Sequence, residues 1–496
     1  MAVSALAACA TAPGTPPAPP AVPAQWQAPL PHAGQLVELD QWWQQFDDPV
    51  LLRLLASAQD ASPTITSARS RIEQARAARV GAGAALGPTV DGNLGATRGR
   101  LDNVAPVITT ATASLQLAWE IDVFGGQRAA RDAAQARLDG AQAGWHEARV
   151  AVAAEVATSY TALRACEAAL EQQRTDAASR AQTARLAELR VKAGFDAPAD
   201  GALARASAAQ ANSLVTQRRA QCDSLVKGLV ALTDITEPDL RGQLAGATAR
   251  VPAPPAIAVR SVPAQVIAQR PDVYRAGLEL LAARADAARA QAQRYPSIRL
   301  NGSIGALHVE TAAGTSDGTL WSIGPITVAL PIFDGGVRVA NVDAAQARVV
   351  ESGALYRSSV RTAVREVEDA LIALQSTADR TDDASVATEG FAASLRGTEV
   401  RYRGGLASLF ELEDARRSAV QAQVALIDLQ RERASAWIAL YRALGGGWSA
   451  VGQQVGGGWS AVDQQVGGGG SAVDQQVGGG GSNPHPSIAS AAAPSP

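Results

Sequence analysis

The side chains able to do chemistry in this chain are few, and the cysteines come first. They stand at Cys9, Cys166 and Cys222. Cys166 and Cys222 are equidistant from Gly194, in the turn-like stretch Gly194-Phe195-Asp196-Ala197-Pro198. If the flanking segments are antiparallel arms of one helical hairpin, the two thiols lie at the same height. An oxidising compartment would then join them. The alternative is two separate helix residues, since free cysteine often packs as a small hydrophobe. As a disulfide, the pair would close a loop with ends 56 positions apart. The loop-entropy model assigns that closure roughly 4 kcal/mol. His32, His146, His308 and His485 are scattered, with no metal-ligand spacing among them. No Cys-x-x-Cys, nucleophile elbow, phosphate loop or dinucleotide fingerprint occurs, and the pairs Gly125-Gly126 and Gly335-Gly336 read as turn glycines. No catalytic site, metal or cofactor is expected.

The third thiol sits in a different context. Leu6-Ala7-Ala8-Cys9 resembles the lipobox after which a bacterial signal peptide is cleaved and the cysteine lipidated. The bland alternative is an apolar tripeptide beside a chance cysteine. Eight residues without Lys or Arg precede Cys9, so residues 1–9 read as a truncated lipoprotein signal. Residues 10–35 are rich in Pro and Ala, an extended tether.

The elements that would position these residues come in duplicate. Trp119-Glu120-Ile121-Asp122-Val123-Phe124-Gly125-Gly126-Gln127-Arg128 ends an alternating run and opens a long Ala-rich one. Leu330-Pro331-Ile332-Phe333-Asp334-Gly335-Gly336-Val337-Arg338 does the same later in the chain. Ala133-Ala134-Gln135-Ala136-Arg137 returns as Ala344-Ala345-Gln346-Ala347-Arg348, Arg190 as Arg401 and Gly194 as Gly405, always 211 residues on. The chain is a duplicated unit.

In each unit a period of two comes first. Val90, Gly92, Leu94 and Ala96 oppose Asp91, Asn93 and Thr97, and Ala111, Ala113, Leu115, Leu117 and Trp119 oppose Thr112, Ser114 and Gln116. These predict strands at about 88–98 and 111–119, with a loop over 99–110. The second unit predicts strands at about 296–306 and 321–331, with a loop over 307–320. They suit either surface hairpins of a soluble sheet or membrane strands, which run to about 10 alternating residues each. The periodicity then becomes helical. Gly126 to about Ala193, and Gly336 to about Arg403, contain no proline, and each is one very long helix or two stacked ones. Val156, Tyr160, Leu163 and Leu170 mark a coiled-coil seam, repeated at Val367, Leu371 and Leu374. Helical hairpins are predicted over about 126–232 and 336–443.

The first repeat therefore spans 36–233 and the second 263–444. A Pro-rich linker or collar over 234–262 joins them. Residues 445–496 hold Gly-rich repeats of the GGGWSAVGQQV type, to which no fold is assigned. Aromatics are only 4% and the net charge is −3, so closely packed helices fit and a nucleic-acid partner does not. After the first few positions no apolar run is long enough for a membrane helix.

Residues 36–447 resemble the outer-membrane efflux proteins of the TolC type, in particular their lipoprotein, NodT-like branch. Trp42-Trp43 with Phe46, the two strand-to-helix motifs above, Arg270-Pro271-Asp272, Tyr295-Pro296-Ser297-Ile298 and Leu440-Tyr441-Arg442-Ala443-Leu444-Gly445-Gly446-Gly447-Trp448 carry the resemblance. It implies a mainly α fold with a transmembrane β-barrel portion. A homotrimer would close a twelve-stranded barrel in outer-membrane lipid and extend a periplasmic α-helical tunnel below it. The function implied is a passive exit duct for small molecules, working with a periplasmic adaptor and an inner-membrane pump. The resemblance also implies that Arg190, Gly194, Arg401 and Gly405 form hairpin tips facing the adaptor. It places the periplasmic gate at Phe410, Asp414 and Arg417, although Phe410 and the flanking Glu411 and Glu413 depart from the commonest pattern. Alternatives are the outlet of a type I protein secretion system or a periplasmic coiled-coil adaptor. An adaptor should show one helical hairpin and no strand pairs of membrane length; this chain predicts two of each.

Overall fold

The computed structural model describes residues 42–100, 107–253, 267 and 270–448. Cys9, the tether over 10–35 and the repeats beyond Trp448 lie outside them. The elements run α1 (Pro49–Ala61), α2 (Pro63–Ala84), β1 (Thr89–Gly99), β2 (Ile108–Ile121), α3 (Gly126–Lys192), α4 (Pro198–Thr233) and α5 (Glu237–Leu244). The second half follows with α6 (Pro271–Ala292), β3 (Ser297–Thr311), β4 (Gly314–Ala329), α7 (Val337–Arg403) and α8 (Leu409–Ala443).

Local chemistry sets the helix starts. Asp48 caps α1, its Oδ1 accepting the Val50 and Leu51 amides at 2.9 and 3.1 Å, ahead of Pro49. Helices α2, α4, α5 and α6 also begin at or beside a proline, whose missing N–H costs nothing there. Each long helix starts behind an aspartate. Asp122 accepts the Gln127 and Arg128 amides, and Asp334 those of Gly336 and Arg338. Burial pushes the Asp122 carboxyl up. The two amides and the Arg128 guanidinium outweigh that and hold it below the usual carboxylate range. Its stabilisation is therefore present at neutral pH and lost as the pH falls through the lowered value.

α3 and α7 are each one unbroken helix of 67 residues, on the order of 100 Å long. Neither is two stacked helices. α3 pairs with α4 and α7 with α8 as antiparallel hairpins, and α2, α3, α6 and α7 lie side by side in that order. The predicted seam residues Val156, Tyr160, Leu163, Leu170, Val367, Leu371 and Leu374 are all buried. Beside the middle of α3, Trp42, Trp43, Phe46, Trp437 and Tyr441 interlock. The Trp42–Trp437 and Trp43–Tyr441 ring centroids stand 5.7 and 4.7 Å apart. Tyr160 donates its hydroxyl to Asp48 Oδ2 at 2.6 Å, so this cluster ties α1, α3 and α8 together. The linker is not featureless, because α5 occupies its start and buries Leu240 and Leu244.

The strands form one antiparallel sheet in the order β1-β2-β3-β4. β1 has the expected length, and the other three are longer than the sequence pattern suggests. The loop expected over 307–320 is instead the continuation of β3 and β4, which turn between Thr311 and Gly314. Likewise β2 already begins at Ile108. Cross-strand pairs Leu115↔Ile304 and Ile304↔Trp321 place apolar side chains beside one another, with Leu94, Leu117, Ile323, Ile326 and Val328 in nearby rows. That face is exposed in the single chain: Leu94 is 89% and Ile323 87% accessible. The other face carries Asp91, Asn93, Ser114, Gln116 and Ser303. Gly305 is required by close approach, since a Cβ there would lie 2.5 Å from the Ala113 carbonyl oxygen. β1 and β4 each keep one edge without a partner strand among the described residues. No helix among the described residues is long and apolar enough to cross a membrane.

Candidate functional site at the hairpin ends

Both hairpin tips are built alike because their sequences are. Gly194 and Gly405 take φ of +78° and +74°, and the next amides, Phe195 and Leu406, return to the Arg190 and Arg401 carbonyls at 2.8 Å. Glycine suits this left-handed position, which ends a helix without a Cβ clash. Arg190 pairs with Asp196 at 2.9 Å, and Arg401 with Glu411 at 3.5 Å. α8 opens with a capping box: Ser408 Oγ accepts the Glu411 amide at 3.2 Å, and Glu411 accepts the Ser408 amide at 2.7 Å. The Ser408 amide and hydroxyl hold the Glu411 carboxyl below its usual range, so the box weakens only as the pH falls through that lowered value.

A few turns inward from the tips the two hairpins meet. Ala184, Ala187, Ala204 and Ala208 of the first pack on Leu409 and Leu412 of the second. Directly above lies a charged clasp. Arg180 of α3 reaches Asp176 at 2.8 Å, Ser207 of α4 at 2.7 Å, and Glu413 of α8. Ser207 Oγ also donates to Glu413 at 2.5 Å. Arg416 takes the other Glu413 oxygen at 3.1 Å, donates to Ser179 Oγ at 2.9 Å and stands 3.7 Å from Glu399 of α7. Four helices thus converge on two arginines and three carboxylates, all but Glu399 largely buried. Low local dielectric strengthens each of these bonds and makes an unpaired member costly.

The residues that the resemblance assigns to the gate lie one helix face away from this clasp. Phe410 is 68% exposed, and Asp414 and Arg417 pair at 3.2 Å on the open side of α8 within the protomer. They are not part of the clasp. Residues 409, 412, 413 and 416 share one stripe, whereas 410, 414 and 417 share another. The two apolar members of the first stripe are the signal that places Glu413 and Arg416 inside. Cys166 and Cys222 form a disulfide between α3 and α4, with Cα atoms 5.6 Å apart. No group of three or more His, Cys, Asp or Glu side chains among the described residues is arranged to hold a metal.

The geometry offers a polar sheet face, an apolar sheet face and a pair of fastened hairpins, with no metal-binding cluster among the described residues. The family model for outer membrane efflux protein matches residues 54–233 and 262–446, most of the first repeat and all of the second. The chain belongs to that family. Pyoverdine export outer membrane protein OpmQ of Pseudomonas putida is 31% identical over 459 residues, covering 89% of this chain and 95% of that protein. Nodulation protein T of Rhizobium leguminosarum bv. viciae is 28% identical over 432 residues, covering 83% and 85%. A membrane protein from Pseudomonas aeruginosa, known from its crystal structure, superimposes with a TM-score of 0.77 at 27% identity, covering 88% of this chain and all of that one. This chain is accordingly an outer-membrane efflux channel and not an enzyme.

Proposed function

We propose that three copies of the chain close one barrel in the outer membrane. Their helices continue it as a periplasmic tunnel, a passive exit duct for small molecules delivered by an inner-membrane pump through a periplasmic adaptor. The carrying observation is the open four-stranded sheet with an apolar outer face and two unpaired edges. Lipid does not tolerate such edges, and single-chain membrane barrels start at about eight strands. Two copies would give an interior that side chains fill; three leave room for water. The mass of the detergent-solubilised particle tests this: three protomers are expected, and a stable monomer or dimer would sink the proposal.

The tips carry the same Arg and Gly twice in one chain, Arg190 with Gly194 and Arg401 with Gly405, and they expose Leu189, Phe195 and Leu406, a surface suited to the adaptor. Around the trimer axis three copies of Asp414 repel unless Arg417 or a cation offsets them, so Asp414, Arg417 and Phe410 line the periplasmic gate. Asp414→Ala is expected to raise passive conductance in planar bilayers, and wild-type conductance would count against the assignment. The Leu6-Ala7-Ala8-Cys9 pattern supports a lipid anchor on Cys9. Cys9→Ser, in a form carrying a full signal peptide, should abolish fatty-acid labelling; unchanged labelling would exclude the anchor.

A further inference from the structure

The two helical hairpins are repeats, but their arms are held together differently. In the second, α8 lays Ile427, Leu429 and Ala434 into buried positions. The residues 211 positions earlier, in α4, are Thr216, Arg218 and Asp223. Within one protomer no α4 side chain from Asn212 to Gln221 is buried, a stretch of about three turns. Immediately after it stands the Cys166–Cys222 disulfide, both cysteines buried. The equivalents in the second hairpin are Thr377 and Arg433, which cannot bridge.

On the tip side of this unpacked stretch the first hairpin carries its whole share of the clasp. Asp176, Ser179 and Arg180 come from α3, and Ser207 comes from α4. Arg180 and Ser207 converge on the same Glu413 oxygen from different arms. That convergence requires α3 and α4 to keep their relative height and separation. Small alanine contacts near the tip provide part of this, and the covalent bond is the first fixed point beyond the unpacked turns, ahead of the buried Val226 and Leu229.

We propose that the Cys166–Cys222 disulfide does in the first hairpin what apolar packing does in the second, so that closure of the tunnel end depends on oxidation of these two thiols after export. The inference rests on the exit-duct function proposed above. The step is a thiol–disulfide exchange with a disulfide oxidant of the periplasm. One cysteine thiolate attacks an oxidant sulfur, forming a mixed disulfide and releasing one oxidant thiolate. The second cysteine thiolate then displaces the other oxidant sulfur. Two protons and two electrons leave the chain, and the oxidant departs as a dithiol.

Arg218 and Arg219 lie in the unpacked stretch and give trypsin a local reporter. Purified, assembled protein would be digested and recorded in bilayers with and without a phosphine reductant. Reduction is expected to speed cleavage at Arg218 and Arg219 roughly tenfold, because proteolysis follows the population of the opened arm. Cleavage at Arg431 and Arg433 of α8 should not change, and leak conductance should rise. Cys166→Ser/Cys222→Ser should match the reduced protein and gain nothing from reductant. Cys166→Ala/Cys222→Leu, which restores an apolar contact, should recover part of the resistance. If the double serine variant fails to assemble, reduction of wild-type protein already assembled still decides the matter. Equal cleavage and equal leak in the two redox states would overturn the proposal. Absence of current in every redox state would count instead against the exit duct, and the cleavage ratio would still uphold or overturn the fastening.

Discussion

Arg180→Ala is expected to leave the channel leaking. It removes the cation between Asp176 and Glu413 and deprives Ser207 of a partner, while both carboxylates stay largely enclosed. Breaking a buried ion pair by deleting one member costs about 3–5 kcal/mol. Where the clasp forms only in the closed state, about 3 kcal/mol shifts the closed-to-open ratio on the order of a hundredfold. Single-channel recordings at low voltage should show long openings that are rare in the wild type. Arg180→Ala/Glu413→Ala removes both charges and should be milder than Arg180→Ala alone, since of the two carboxylates that faced Arg180 only Asp176 is left without its cation. Arg180→Ala gating like the wild type would exclude the clasp from closure.

The second large effect is expected at Arg270, on stability rather than conductance. Its side chain is 6% exposed at the start of α6. It forks onto Asp272 at 3.0 and 2.7 Å, reaches Glu366 of α7 at 2.7 Å and donates to the Ala443 carbonyl at the end of α8 at 2.9 Å. Arg270→Met should cost about 2–4 kcal/mol, since both carboxylates keep some solvent contact. Arg270→Lys should recover little, because an ammonium cannot satisfy the fork and the carbonyl together. Chemical denaturation of the assembled protein measures both. A midpoint within error of wild type for Arg270→Met would show that these contacts add nothing.

Much of the architecture could be read from the chain because the duplication repeats every signal. Proline-led helix starts, the entries Asp122-Val123-Phe124-Gly125-Gly126 and Asp334-Gly335-Gly336, and the seam at Val156, Tyr160 and Leu163 each have a local cause. Three of the four strands outrun their sequence pattern for a physical reason. Above the apolar band a barrel strand meets water on both faces, so Gly314 to Gly318 and His308 to Thr311 lose the alternation that marks Leu115 or Ile304. The clasp was missed because Arg180 and Glu413 are 233 positions apart, and their meeting depends on how one hairpin lies on the other. Helix periodicity could still have separated the Leu409–Arg416 stripe from the Phe410–Arg417 stripe. The family motif drew attention to the latter.

The fusion of two units in one chain has a consequence for variation. In a ring of six identical subunits, any substitution appears six times and every hairpin must serve every role. In a ring of three fused chains it appears three times, at alternate places. A cystine can then sit in alternate hairpins, as Cys166 and Cys222 do, while Thr377 and Arg433 leave the intervening ones unlinked. Halving the symmetry thus permits a division of labour around a single pore, with odd and even staves free to drift toward different stiffness.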